Sequence, residues 1–240
     1  MFSVQLSRVP GAIAVLALAA AAAGCSGGTT AAQSAANTGH VAPARAASAY
    51  TAAQLRSALL TSVNGVRPAG RAAAGTYGSL PGITAARHSM PGVKITPARC
   101  ANASGTGLSS GNFGKVPASV VTFRFATVAA SEVLLSPPAS MLADALAHKI
   151  PAGCTRYRAR IGGKTYTYRI TQERAPRIAD AATELNVRAT GPATANIWTI
   201  IYRSHGVVGA VTLVGQHASK AAAEALTKLA YRYAKAHLTA

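Results

Sequence analysis

Acidic side chains are scarce in this chain: six Asp and Glu stand against 24 Lys and Arg, a formal charge of +18 at pH 7. So few carboxylates argue against the paired acids of glycoside hydrolysis, because both must find a place in one cleft. Aromatic residues make up only 5% of the chain, with a single tryptophan. The interleaved basic and aromatic signatures of the common RNA modules are missing. Cysteine is limited to three residues, Cys25, Cys100 and Cys154. None has C-x-x-C spacing or nearby histidines, which argues against a zinc site or a dithiol redox site.

What is present begins at the N-terminus. Arg8 and the terminal amine precede an apolar run from Val9 to Ala23, which is short for a membrane span and has the layout of an export signal. The run ends in Ala22-Ala23-Gly24-Cys25. A small-small-Gly-Cys ending resembles the lipobox of bacterial lipoproteins and implies a lipidated Cys25 as the first mature residue. The alternative is ordinary cleavage among Ala19 to Ala23, leaving a free thiol. An odd cysteine count in an exported protein favours the lipid, since Cys100 and Cys154 then remain as a pair in an oxidising compartment. Their bridge would close a loop of about 55 residues, worth about 4 kcal/mol in the chain-entropy model. Two unconnected buried thiols are the alternative.

Without residues 1–24 the chain keeps 23 basic and six acidic residues, a formal +17. Nucleic acid, anionic lipid or anionic wall polymers are the partners such a charge suits, and export argues against the first. A solvated surface on an alanine- and arginine-rich protein is the plainer account. Residues 26–49 are mostly Ala, Gly, Ser, Thr and Asn with hardly a large apolar side chain, so they read as a tether with a reach of roughly 25 to 30 Å. The organisation expected is a signal peptide over 1–24, a lipidated cysteine and tether over 25–49, and one domain over 50–240.

Within that domain Thr51 and Gln54 have capping-box spacing, and Leu55, Leu59 and Leu60 continue a helical stripe to about residue 61. From Ser62 to Pro117 the chain is rich in Gly, Pro, Ser and Ala and reads as a long irregular excursion, apart from a short strand near 93–96. Alternation predicts strands over 118–127 and 132–136. Pro137-Pro138 followed by Met141, Leu142, Ala145 and Leu146 predicts a helix ending at Pro151. Two hairpins follow, 155–161 with 164–172 around Gly162-Gly163 and 195–204 with 207–214 around His205-Gly206, with a strand over 183–190 between them. Trp198 reads as sheet core. A terminal helix over 219–237 has Leu226, Leu229, Ala230 and Tyr233 on one face and Lys220, Glu224, Lys228 and Arg232 on the other.

A two-residue turn at Gly162-Gly163 pairs Arg160 with Thr165, Arg158 with Thr167 and Arg156 with Arg169. Arg156, Arg158, Arg160 and Arg169 then share one strand face, a candidate anion-binding surface or a solvated outer face. Other apparent motifs lack context. Gly107-Leu108-Ser109-Ser110-Gly111 matches the G-x-S-x-G of hydrolases, but no apolar strand precedes it and no helix follows. Asp144 and His148 have i,i+4 spacing without a third metal ligand, so an ion pair is the safer reading. His205 and His217 read as solvent-facing turn residues.

The order of parts resembles a known family. A lipobox, a low-complexity tether, a Thr-x-x-Gln-Leu helix start, one cysteine on each side of a strand and helix, and a Tyr-Arg-Ser-His-Gly-Val-Val-Gly hairpin before an Ala-rich helix are similar to actinobacterial sensor-type lipoproteins of the PknH-like extracellular-domain family. The resemblance spans about 50–240. It implies an α+β fold, an antiparallel sheet of about five to seven strands flanked by helices with a C-terminal surface helix, and a cleft for an unidentified extracellular ligand. The expected protein is a non-enzymatic, lipid-anchored domain on the extracytoplasmic face of the cell membrane. It needs no cofactor, metal or nucleic acid and has an anionic envelope component as a possible ligand. A scaffold binding anionic lipid or wall polymer through its basic face is the first rival, and a cryptic serine hydrolase using Ser109 the second.

Overall fold

A computed structural model describes residues 49–89, 92–109, 111–147, 149–175 and 177–238. The signal segment, Cys25 and all but the last residue of the tether lie outside the described residues, as does His148.

Nine strands form one antiparallel sheet: β1 (Ala73–Thr76), β2 (Lys94–Thr96), β3 (Pro117–Arg124), β4 (Val128–Leu135), β5 (Arg156–Ile161), β6 (Lys164–Arg174), β7 (Ala181–Thr190), β8 (Ala195–Ser204) and β9 (Val207–Gly215). Their spatial order is β1-β3-β4-β9-β8-β7-β6-β5-β2. The count exceeds the five to seven expected. The short strand expected near 93–96 is present as the three-residue β2, while β1, four residues long, forms in a stretch read as irregular. Ala73–Thr76 carries no readable alternation and is strand because β3 offers it an edge to pair with. Helices are few: α1 (Ala52–Ser57), α2 (Pro81–Ser89) and α3 (Lys220–His237).

Local chemistry explains the parts that the sequence predicts. Thr51 and Gln54 close a reciprocal capping box on α1. The turns at Gly162-Gly163 and His205-Gly206 have positive φ at both central residues, the geometry that matches the twist of a tight hairpin. The helix expected after Pro138 is absent: 139–146 holds two separate 3-10 turns, Ala139–Met141 and Asp144–Leu146. Leu142 and Leu146 pack on the core without a helix to carry them. Conversely, α2 forms in a stretch whose mixture of Gly, Ala, Arg and His shows little apolar periodicity.

The two halves of the sheet are covered differently. In β9, eight of nine residues are apolar or glycine, and the strand is buried on both faces over most of its length. On one face, hereafter the helix face, α1 and α3 pack over Val121, Phe123, Leu134, Ile200, Tyr202 and Val211. The buried residues of α3 are Ala223, Leu226, Thr227, Ala230 and Ala234, and the three alanines let the helix sit close to the strands. On the opposite face Tyr77, Leu80, Leu108, Phe113 and Ala145 pack over Ala118, Leu135, Ile201 and Val208. In β5 exposed and buried residues alternate, so this end of the sheet is covered on one face only. The cover is a third cluster around Cys100, Cys154, Tyr157, Tyr168, Ile170 and Val187.

Candidate ligand cleft

On the face opposite α3, the sheet is walled but not filled. Two segments stand over it. One is 77–83, joining β1 to α2, and the other is 104–108, which follows the 3-10 turn at Cys100. Between them lies a cavity of about 200 Å³ whose floor is formed by β3, β4, β9, β8 and β7.

Register places a row of hydroxyls across this floor. Thr122 faces Ser131, Ser131 faces Thr212, and Thr212 faces Thr199 on successive strands. The row runs from exposed Thr122 to buried Thr199, and the last two hydroxyls lie 3.0 Å apart. Apolar rows flank it, Val120, Val133 and Ala210 on one side, Val214, Ile197 and Val187 on the other. Tyr77 carries the one titratable group in the lining, so a protein of +18 has built a cleft without a charge in it. Such a surface gains by burying apolar ligand area, and its hydroxyl row supplies donors and acceptors for one polar edge.

The 104–108 wall is fixed from two directions. Cys100 and Cys154 form a disulfide, joining the wall's root to the start of β5. The Tyr157 hydroxyl donates to Ser104 Oγ at 2.8 Å, while its ring stacks on Tyr168 at 5.0 Å. Burial raises both phenols, Tyr168 to about 12 with help from Tyr157 and Tyr166, so neither ionises at neutral pH. Gly107 lets the wall sit on the 139–146 segment, because a Cβ there would lie 2.7 Å from the Ala145 carbonyl oxygen.

The four predicted arginines are elsewhere. Arg156, Arg158, Arg160 and Arg169 lie on the helix face, exposed and outside the cleft, with the strand pairing the hairpin turn implies. Ser109 ends a 3-10 turn, Gly107–Ser109, and is followed by another, Gly111–Lys115, where a nucleophile elbow needs strand and helix. Asp144 is exposed in a 3-10 turn, and among the described residues no three His, Cys, Asp or Glu converge as metal ligands. His205 and His217 are exposed. Trp198 is only partly buried, at the edge of the α3 core.

The family resemblance implied a cleft, but sequence reasoning named none of the residues that line it. One signal was available: the His205-Gly206 turn alone pairs Thr199 with Thr212. Their alignment with Ser131 and Thr122 depends on the pairing of β4 with β9, which joins segments about 80 residues apart and leaves no local trace.

A buried acid sits behind the floor. Glu132 of β4 is 2% exposed on the helix face, and its Oε2 accepts the Leu60 N–H at 2.9 Å. Its Oε1 and the nearby Tyr202 hydroxyl have no hydrogen-bond partner. Burial pushes the carboxyl from 4.5 up to about 7, partly offset by that N–H. Between those values the folded protein holds a proton that the unfolded chain has released. This contribution is therefore fully present below pH 4.5 and is lost as pH rises through about 7. Glu132→Gln should leave stability unchanged at the acid end and raise it above pH 7, measured by urea unfolding against pH. Parallel profiles for the two proteins would refute the assignment.

The class defined by these features is an open antiparallel sheet with one helical layer and an uncharged cleft beneath disulfide-anchored loops. No family model matches the chain, and no curated protein matches it. Among solved structures it is similar to the extracellular domain of PknH from Mycobacterium tuberculosis, with TM-score 0.51 and 11% identity over 78% of this chain and 97% of that one. It is also similar to an uncharacterized Mycobacterium smegmatis protein, the Rv0999 ortholog, with TM-score 0.38 and 13% identity over 60% and 77% of the two chains. At 11% identity, the likeness to the PknH domain is one of fold. Among the described residues no helix is long and apolar enough to cross a membrane.

Proposed function

We propose that this chain is a lipid-anchored extracytoplasmic domain that binds, rather than transforms, a small and largely apolar uncharged molecule in the cleft. The observation that carries the ligand class is the lining: apolar rows around four floor hydroxyls, Ser104 and Thr106 on the wall, and no acid or base apart from a tyrosine. The location is supported by the export signal ending at Cys25, by the Cys100–Cys154 disulfide and by a fold shared with an extracellular domain. A cleft of this kind between a rigid sheet and two loops is a usual place for a small-molecule site.

The test uses the neutral apolar fluorophore N-phenyl-1-naphthylamine. Its emission should rise on binding the full chain, and the affinity should be unmoved by salt, since no charge is involved. Thr212→Phe and Ser131→Phe place a ring over the hydroxyl row and should weaken binding at least tenfold, about 1.4 kcal/mol or more. Variants that keep the wild-type circular dichroism and bind the probe as before would remove the cleft from consideration.

A further inference from the structure

The helix face has an end with no helix over it, and apart from Glu173 and Glu184, which lie beside Lys220 of α3, its charged residues are basic. α3 rests on β8 and β9, whereas β7, β6, β5 and β2 continue beyond it without a helix. Strand pairing aligns Arg156, Arg169 and Arg188 in one row across β5, β6 and β7. Arg158 and Arg160 follow at two-residue steps along β5, and Lys94 of β2 faces Arg160. All six are exposed. At roughly 5 Å between strands and 7 Å along them, the six cations crowd one another.

Among the described residues no ion pair neutralises them. The three ion pairs among the described residues all use Lys220 or Lys228, and the acids on this side of α3, Glu173 and Glu184, are both within 3.4 Å of Lys220. The patch lines neither the cleft nor the small cavity beside Tyr202. What it does offer is an exposed array of cations that reaches the β2 edge of the sheet.

We propose that this half of the sheet docks on anionic phospholipid headgroups. Arginine is the side chain best suited to bidentate phosphate contact, and each cation near an anionic bilayer adds a favourable increment that sums over the patch. On the lipid-anchored reading proposed above, on which this step rests, a 24-residue linker with a reach of roughly 25 to 30 Å would hold the domain near such a surface at a high effective concentration. Trp198, the one tryptophan, borders the patch on β8 beside the Arg188 strand and is only partly buried. Its ring suits a membrane interface. The cleft opens on the opposite face, so docking leaves its mouth turned away from the bilayer. This inference does not rest on the cleft being a binding site.

The test is co-sedimentation of the full chain with phosphatidylcholine vesicles, with and without phosphatidylglycerol, alongside Trp198 emission. Arg156→Gln, Arg169→Gln and Arg188→Gln together should lower the phosphatidylglycerol-dependent part of binding about tenfold or more and abolish the emission change. Raising salt to about 0.5 M should do the same to the wild type. Arg124→Gln, Arg174→Gln and Arg203→Gln remove equal charge from the opposite face and should leave binding intact. Equal losses in the two triple variants would reduce the effect to net charge and overturn the proposal, as would no loss in either. A soluble glycerol-phosphate polymer that displaces the protein at lower phosphate concentration than vesicles would overturn it in favour of a polymer site.

Discussion

Replacing Cys100 and Cys154 by alanine is expected to cost the domain about 4 kcal/mol, the largest effect of any change considered for this protein. The bridge joins residues 54 apart, and closing a loop of that length restricts the unfolded chain by roughly that amount in the entropy model. For a domain of this size the loss corresponds to a fall in Tm of about 8 to 16 °C, and reduction by dithiothreitol should reproduce it. The loop so closed contains the 104–108 wall, the Gly111–Lys115 turn and both strands of the β3–β4 hairpin. Removal of the bridge should therefore weaken probe binding at temperatures where the domain is still folded, because the wall then loses its covalent link to the start of β5 and keeps the Tyr157–Ser104 hydrogen bond. A loss below about 1 kcal/mol in urea unfolding would mean that the packing of Leu108 and Phe113, both buried, already fixes the segment.

Gly209→Ala is expected to destabilise by about 3 kcal/mol, more than overpacking by one methyl usually does. Gly209 lies opposite Tyr202 on one side and Leu134 on the other, on the helix face. The Tyr202 ring lies across it, so a Cβ at 209 would overlap the ring carbons. The ring cannot retreat. It is 1% exposed, edge-on to Tyr231 of α3 at 5.7 Å, and its hydroxyl is already without a partner. Relief must come either from α3 lifting or from β9 bending, and both disturb the core that holds the sheet to its helix. The diagnostic is a double-mutant cycle in denaturant: Tyr202→Leu with Gly209→Ala should lose less than the sum of the single changes. Strict additivity would show that the ring and the glycine do not meet in solution.

The residues legible in the sequence share a physical property: their structure is dictated within a few positions along the chain. Thr51 and Gln54 need only each other to start α1. Gly162-Gly163 and His205-Gly206 supply the positive φ that tight hairpins require, and once the turn is set every partner in the hairpin follows, including Arg156 with Arg169. The cysteine pair was legible by counting. Where the chain instead takes its conformation from distant partners, reading failed. β1 is strand because β3 lies beside it, and nothing in Ala73-Ala74-Gly75-Thr76 demands that. The apolar spacing after Pro138 was real, but the segment is clamped by Gly107 and breaks into 3-10 turns.

The candidate sites divide the same way. The arginine face was written in the alternation of one hairpin, and the structure enlarged it with Arg188 and Lys94 from strands that the hairpin does not contain. The cleft was not written anywhere locally. By itself, the sequence determined the charge, the hairpin registers and which side of each strand would be apolar, since period-two alternation is a property of neighbours. Only the tertiary structure decided that β9 returns to β4, that four hydroxyls thereby meet in a row, and that α3 covers half of one face and leaves arginines bare on the rest. Those outcomes are set by contacts between segments far apart in the chain, whose energy is burial and packing rather than local preference.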